Sequence, residues 1–131
     1  MNETLTGRCS CGEISYSCVG PVMFSMICQC RQCQRITGTG HAAQFGIKAE
    51  YTTIIGNVKS YSLEADSGNE VVSAFCGTCG NPVYKTTTRM PDVYVFHAGT
   101  LDNPELFDPK MVVFSDSAQP WDFVNPDIER C

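Results

Sequence analysis

A chain of 131 residues with 43% hydrophobic residues and a formal net charge of -5 is sized for one domain spanning 1–131, with a single core. Its nine Lys and Arg are scattered among 14 Asp and Glu, which argues against a phosphate-binding surface and so against nucleic-acid partners. No apolar run approaches the roughly 18 residues of a membrane span, and Met1-Asn2-Glu3-Thr4-Leu5-Thr6 has neither the basic start nor the apolar stretch of a secretory signal. The expectation is a cytoplasmic protein without a membrane partner.

Taken in chain order, Leu5 to Val19 carries Cys9, Cys11 and Gly12, then Ile14, Tyr16 and Cys18 alternating with Glu13, Ser15 and Ser17. A period of two predicts a strand with one buried face. On an extended chain Cys9 and Cys11 would also point to one side, able to grip an ion together. Cys18 falls on the apolar face and reads as a small buried hydrophobe. Gly20-Pro21 breaks the strand, and the apolar run Val22 to Ile27 leads into Cys28. Arg31 to Thr37 predicts a helical turn ending at Gly38-Thr39-Gly40.

Short strands are then expected over Ala42 to Ile47, Tyr51 to Ile55 and Val58 to Leu63. Asp66-Ser67-Gly68-Asn69 reads as the turn of a hairpin joining Tyr61-Leu63 to Val71-Phe75. The second arm runs into Cys76-Gly77-Thr78-Cys79-Gly80, whose glycines let amide hydrogens face the sulfurs of a metal knuckle. Val83 to Lys85 begins another strand, and Val93 to His97 is apolar on both faces, which places it centrally. Lys110 to Phe114 predicts a last strand, and the tail from Gln119 to Cys131 is expected to pack across an opening. Turn signals recur about every ten residues without sustained helical periodicity, the rhythm of an all-β fold of short antiparallel strands with little helix.

Nine cysteines are many for a reducing compartment unless most hold something, and Cys-x-Cys and Cys-x-x-Cys spacings suit chelation better than a disulfide framework. With Cys18 alone and Cys131 terminal, seven cysteines remain in three groups, and the natural partition is four plus three. Cys9 and Cys11 with Cys76 and Cys79 would make a closed site, tying the start of the chain to a much later hairpin. Cys28, Cys30 and Cys33 would form a site one ligand short of the four that zinc prefers. Spacing alone leaves open an exchange of pairs between the sites, although three ligands so close together can hold an ion without remote help.

The order of Gly7-Arg8-Cys9-Ser10-Cys11-Gly12, Cys28-x-Cys30-x-x-Cys33 with Gly38 after it, Phe75-Cys76-Gly77-Thr78-Cys79-Gly80 and Gly99-Thr100-Leu101-Asp102 resembles the glutathione-dependent formaldehyde-activating enzyme family over nearly the whole chain. Trp121 near the end fits as well, while Gln29 stands where many members carry His. The resemblance implies a zinc-stapled β-tent fold, with a structural zinc on Cys9, Cys11, Cys76 and Cys79 and a catalytic zinc on Cys28, Cys30 and Cys33. It also implies carbon-sulfur lyase activity that joins glutathione and formaldehyde into S-hydroxymethylglutathione or splits it, the open zinc holding the substrate thiolate.

Among other candidates, His41 either carries a proton beside the open site or serves as a turn residue or hydrogen-bond donor. Arg31 and Arg35 either bind glutathione carboxylates bidentately or are ordinary surface arginines. His97 reads as a hydrogen-bonded core histidine. The rival to an enzyme is a non-catalytic zinc scaffold or interaction module of the same fold, which would close or leave empty the middle cluster. An iron-sulfur centre would announce itself by colour.

Overall fold

The computed structural model describes residues 4–131; Met1 to Glu3, part of the stretch read for a secretory signal, lie outside the described residues. The elements run β1 (Thr4–Arg8), β2 (Ser15–Val19), β3 (Phe24–Cys28), α1 (Arg31–Thr37), β4 (Ala42–Lys48), β5 (Thr52–Ile55), β6 (Val58–Glu64), β7 (Glu70–Cys76), β8 (Pro82–Thr87), β9 (Met90–His97), β10 (Met111–Val113) and β11 (Glu129–Arg130). The expected mostly-β chain with one short helix is what forms. None of the described helices is long and apolar enough to cross a membrane.

Two sheets result. The smaller has the order β1-β2-β5 and the larger β11-β10-β3-β4-β9-β8-β7-β6. Leu5 to Val19 is therefore not one strand: β1 and β2 pair antiparallel, Leu5 opposite Cys18, and Cys9 and Cys11 occupy the connection. The extended geometry expected for these two cysteines is replaced by a turn, closed by backbone bonds from Gly12 N to Cys9 O at 3.1 Å and Cys9 N to Ile14 O at 2.9 Å. Gly12 at φ 84° supplies the left-handed residue this turn needs. The strand expected last, over Lys110 to Phe114, forms as the shorter β10, pairs parallel to β3, and is followed by β11 from the tail.

The small sheet packs one face of the large one. Leu5, Ile14, Tyr16 and Cys18 meet Phe45, Ile47 and Phe96, with Ile54 and Tyr94 at the margin. Tyr16 stacks on Phe96 at a centroid distance of 4.0 Å, an aromatic contact that adds to simple area burial. Thr100 Oγ1 donates to His97 O at 2.7 Å. Its one proton being committed there, Tyr16 must donate its own hydroxyl to Thr100 Oγ1, also at 2.7 Å.

The opposite face follows from register, since residues paired across strands share a face. Phe24 pairs with Gly46, Gly46 with Val95, Val95 with Lys85, Lys85 with Ser73 and Ser73 with Tyr61. The next row holds Met26, Gln44 and His97, and beyond it lie Cys28 and Ala42. Among the described residues this face carries no second sheet. Helix α1 and the segment around Phe114 and Ser117 border it instead, leaving a cavity of about 910 Å³.

The tail from Gln119 to Cys131, expected across an opening, packs instead beside α1 and on β3 and β10, and none of it lines the cavity. Gln119 Nε2 donates to Gln34 Oε1 at 3.1 Å, and Gln34 Nε2 donates to Ser117 O at 3.0 Å. Val124 and Ile128 pack on Ile27 and Val112. Central β9 is flanked by β4 and β8, as its apolar sequence required. His97 at its end is buried as expected, but its Nε2 has no hydrogen-bond partner, so the hydrogen bonding expected of a core histidine is missing at that nitrogen.

Two outcomes test this arrangement. A Cβ on Gly7 would lie 2.3 Å from the Tyr16 hydroxyl and 2.5 Å from the Thr100 carbonyl, so Gly7→Ala should cost about 2 kcal/mol or more in urea denaturation. Burial, with the Lys85 charge adding to it, holds the His97 pKa down to about 4. The unfolded chain, with an ordinary histidine near 6.5, then binds more protons between those values. The stabilisation is fully present above about pH 6.5 and is lost as pH falls towards 4, amounting to about 3 kcal/mol. The drop in stability from pH 7 to pH 5 should accordingly be smaller in His97→Gln than in wild type, measured side by side so that acid loss of metal is common to both.

Candidate metal centres

The first centre joins the β1–β2 turn to the turn that follows β7. Ligand atoms of Cys9, Cys11, Cys76 and Cys79 all lie within 4.8 Å of one another. Cys9 and Cys11 Sγ are 3.8 Å apart, and Cys11 and Cys76 Sγ 3.6 Å. A tetrahedron of sulfurs about 2.3 Å from zinc has edges of about 3.8 Å, so these spacings fit the ion. Backbone amides complete the cradle: Ile14 N donates to Cys9 Sγ at 3.3 Å, and Thr78 N and Cys79 N donate to Cys76 Sγ at 3.3 and 3.4 Å. Such bonds favour thiolate, the form a metal takes.

Titration of these thiols reflects the same crowding. Backbone N–H groups of Asn81 and Cys11 pull Cys79 down to about 6. Cys11 is eased by the Glu13 backbone, yet burial and the neighbouring sulfurs of Cys76, Cys79 and Cys9 push it up to about 11. Four thiolates cannot share so small a volume without a cation, and a divalent ion would release the remaining protons.

The second centre is built at the junction of β3 and α1. Cys28 ends the strand, Cys30 caps the helix and Cys33 sits in its first turn, buried. Cys33 N donates to Cys30 Sγ at 3.3 Å, so one sulfur serves both as N-cap and as ligand candidate. Gly38 at φ 74° ends the helix in a left-handed cap bonded to Gln34 O. The three sulfurs lie within 4.8 Å of one another, and among the described residues no fourth Cys, His, Asp or Glu joins them.

Within the trio, hydrogen bonds from Cys28 and Cys33 pull Cys30 down to about 2, with the Lys85 charge assisting. The same bonds, with burial, push Cys28 up. Lys85 Nζ donates to Cys33 Sγ at 3.3 Å. A compact set of three sulfurs, with amide and ammonium donors around it, also fits zinc, with room for one outside ligand.

All three cysteines line the 910 Å³ cavity, and Arg31 and Arg35 line it as well. Arg31 leans on Gln34 Oε1, while Arg35 is exposed. His41 is brought elsewhere. Its Nδ1 faces Asp122 Oδ2 at 2.9 Å, Gln29 Nε2 donates to the same oxygen at 3.2 Å, and His41 is not among the cavity-lining residues. The imidazole thus ties the tail to the strand that follows the helix. Cys18 is buried in the core, as expected, and Cys131 is exposed.

Lys85 and Gln44 were not singled out in the sequence. Lys85 is one residue in a short strand, and only the register with β7 and β9 turns it towards the trio. Its signal was a single charged residue in a short strand that follows a metal knuckle. Gln44 gave a similar signal, a polar residue inside an otherwise apolar strand.

Comparison with known proteins extends these observations. A crystal structure of a Rhodobacter sphaeroides protein superposes with a TM-score of 0.58 at 21% identity, over 79% of this chain and 96% of that one. That likeness bears on the fold. No curated protein matches the chain. The model of the family described as glutathione-dependent formaldehyde-activating enzyme matches residues 4–117, a span that includes both cysteine clusters, β1 to β10 and the lining of the cavity. The chain belongs to the glutathione-dependent formaldehyde-activating enzyme family.

Proposed function

We propose that this chain is a zinc-dependent carbon-sulfur lyase that acts on a glutathione-formaldehyde adduct, forming or splitting S-hydroxymethylglutathione. The observation that carries this reading is the trio Cys28, Cys30 and Cys33, one donor short of a closed set and facing a cavity of about 910 Å³. Pockets of this size accommodate a small-molecule ligand of tripeptide dimensions. Zinc held by the trio would keep a bound thiol as a nucleophilic thiolate at neutral pH.

The chain's own residues do the rest. Cys28 and Cys33 are fixed by a strand end and a helix, so the open side of the trio has one direction. Arg31 and Arg35 stand on that helix at the cavity wall, positioned for carboxylates of a peptide thiol. Phe24, Met26, Ile36 and Val95 supply an apolar lining, which limits water around the reacting carbon. In this reading Cys9, Cys11, Cys76 and Cys79 hold a structural zinc away from the chemistry. His41, held by Asp122, serves as a strut for the tail rather than as a proton carrier. The soluble partners are then a thiol and an aldehyde.

The test is metal analysis combined with calorimetry. Wild type should hold about two zinc ions, and Cys30→Ser about one, with glutathione affinity reduced at least tenfold and little change in melting temperature. Cys76→Ser should instead lose the native fold or much of its thermal stability. Wild type should also form S-hydroxymethylglutathione faster than the spontaneous reaction. Two ions retained in Cys30→Ser, or no acceleration by zinc-loaded wild type, would overturn the assignment in favour of a non-catalytic scaffold.

A further inference from the structure

Two polar side chains on the cavity face keep hydrogen-bonding capacity that the fold does not use. Lys85 comes from β8 and places its ammonium 3.3 Å from Cys33 Sγ, yet no carboxylate among the described residues forms an ion pair with it. Gln44, from β4, is 1% exposed, and its Oε1 has no hydrogen-bond partner. Leaving a buried acceptor unpaired is costly, so its presence on the same face as Phe24, Met26 and Val95 calls for a partner that the folded chain does not itself supply. Both residues line the cavity together with Cys28 and Cys33. Beside Gln44 on the same face, its register partner His97 also has an unpartnered Nε2, so the neighbouring ring does not relieve the amide.

The geometry points to Lys85 and Gln44 as the binding site for the oxygen on the one-carbon unit that the sulfur carries. This inference rests on the function proposed above and names the groups that recognise the adduct. A hydroxyl accepts one hydrogen bond and donates another. Lys85 can only donate, and Gln44 Oε1 can only accept. The pair is therefore complementary to a hydroxymethyl group, whereas a thioether with a plain methyl leaves Gln44 Oε1 unpartnered and offers Lys85 no acceptor beyond Cys33 Sγ.

In the addition direction a sulfur lone pair forms the C–S bond while the π pair of the carbonyl moves to oxygen. The thiol proton passes to solvent and a solvent proton completes the hydroxyl, so neither oxidant nor reductant enters. Lys85 keeps its protons throughout and steadies the charge that gathers on oxygen. Gln44 takes up the hydroxyl proton as a hydrogen bond once it has arrived, favouring the adduct over the separated aldehyde.

The experiment compares calorimetric affinities of the zinc-loaded protein for S-hydroxymethylglutathione, kept formed by excess formaldehyde, and for S-methylglutathione, which lacks only the oxygen. Wild type should prefer the first at least tenfold. Lys85→Met and Gln44→Met should bring the ratio close to one while S-methylglutathione affinity changes less than threefold, and Lys85→Arg should restore part of the preference. Lys85→Gln and Gln44→Leu replace any methionine variant that fails to hold zinc or to melt cooperatively. An unchanged ratio in the variants, or equal weakening towards both ligands, would overturn the oxygen site. A wild type that binds both ligands equally would do the same and leave the lyase reading intact. A wild type that binds neither them nor glutathione would remove both.

Discussion

The sulfur cluster of Cys9, Cys11, Cys76 and Cys79 is the constraint on which the two-sheet arrangement depends. It links residues 65 positions apart, joining the tip of the small sheet to the end of β7 in the large one. Closing such a loop costs chain entropy that the 12 buried residues of the main core would otherwise have to offset through packing alone. A metal bound there in the folded chain, and poorly in the unfolded one, shifts the balance by its own binding free energy. The small sheet can then be only three short strands. Its hold on Phe45, Ile47 and Phe96 does not need to be extensive.

That economy decides the use of the other face. With the core placed between the two sheets, the opposite face of the large sheet is left to a seven-residue helix and an irregular tail. These cover its edges and leave its middle open. A second full sheet there would have filled the space with side chains. The sparse cover is fastened by polar contacts, Gln34 to Ser117 and Gln119, and Asp122 to His41 and Gln29. Asp122 lies so close to Gly40 that a Cβ at that position would be 2.2 Å from its carboxyl carbon. The tail thus reaches the trio's surroundings through a fit that only glycine permits.

Much of this was legible in the sequence where the signal is local. The alternation of Ile14, Tyr16 and Cys18 marked the buried face of β2, Gly38 marked the helix end, and the cysteine spacings marked the clusters. Cys9 and Cys11 misled, because a Cys-x-Cys spacing is compatible with a strand and with a turn, and only Gly12 at positive φ tipped the balance to a turn. For His41 the sequence left a proton carrier and a turn residue or hydrogen-bond donor side by side, because its partner, Asp122, lies 81 residues away. Lys85 and Gln44 were hidden for a related reason. Their meaning comes from the pairing of β3, β4, β9 and β8, strands drawn from three separate parts of the chain, and no spacing along one segment encodes which residues a sheet brings side by side.

The two clusters differ in exposure in a way that follows from coordination. In the four-sulfur cluster Cys11 and Cys79 are exposed, and nothing is lost by this, since a filled shell offers water no position to occupy. In the trio Cys28 and Cys33 are buried and Cys30 is half-buried. A set of three would admit water as its fourth partner wherever solvent reached it, and water there competes with an incoming thiol. Burial beneath Lys85 and the helix makes the cavity the approach to the sulfurs, and the cavity's walls, in which Phe24, Met26, Ile36 and Val95 alternate with polar and charged groups, decide what arrives. The same burial strengthens the Lys85 ammonium as a donor, because charge acts further where water is scarce. The protein therefore spends its covering elements on the incomplete site and leaves the complete one at the surface, an allocation that fits chemistry at the trio and structure at the other cluster.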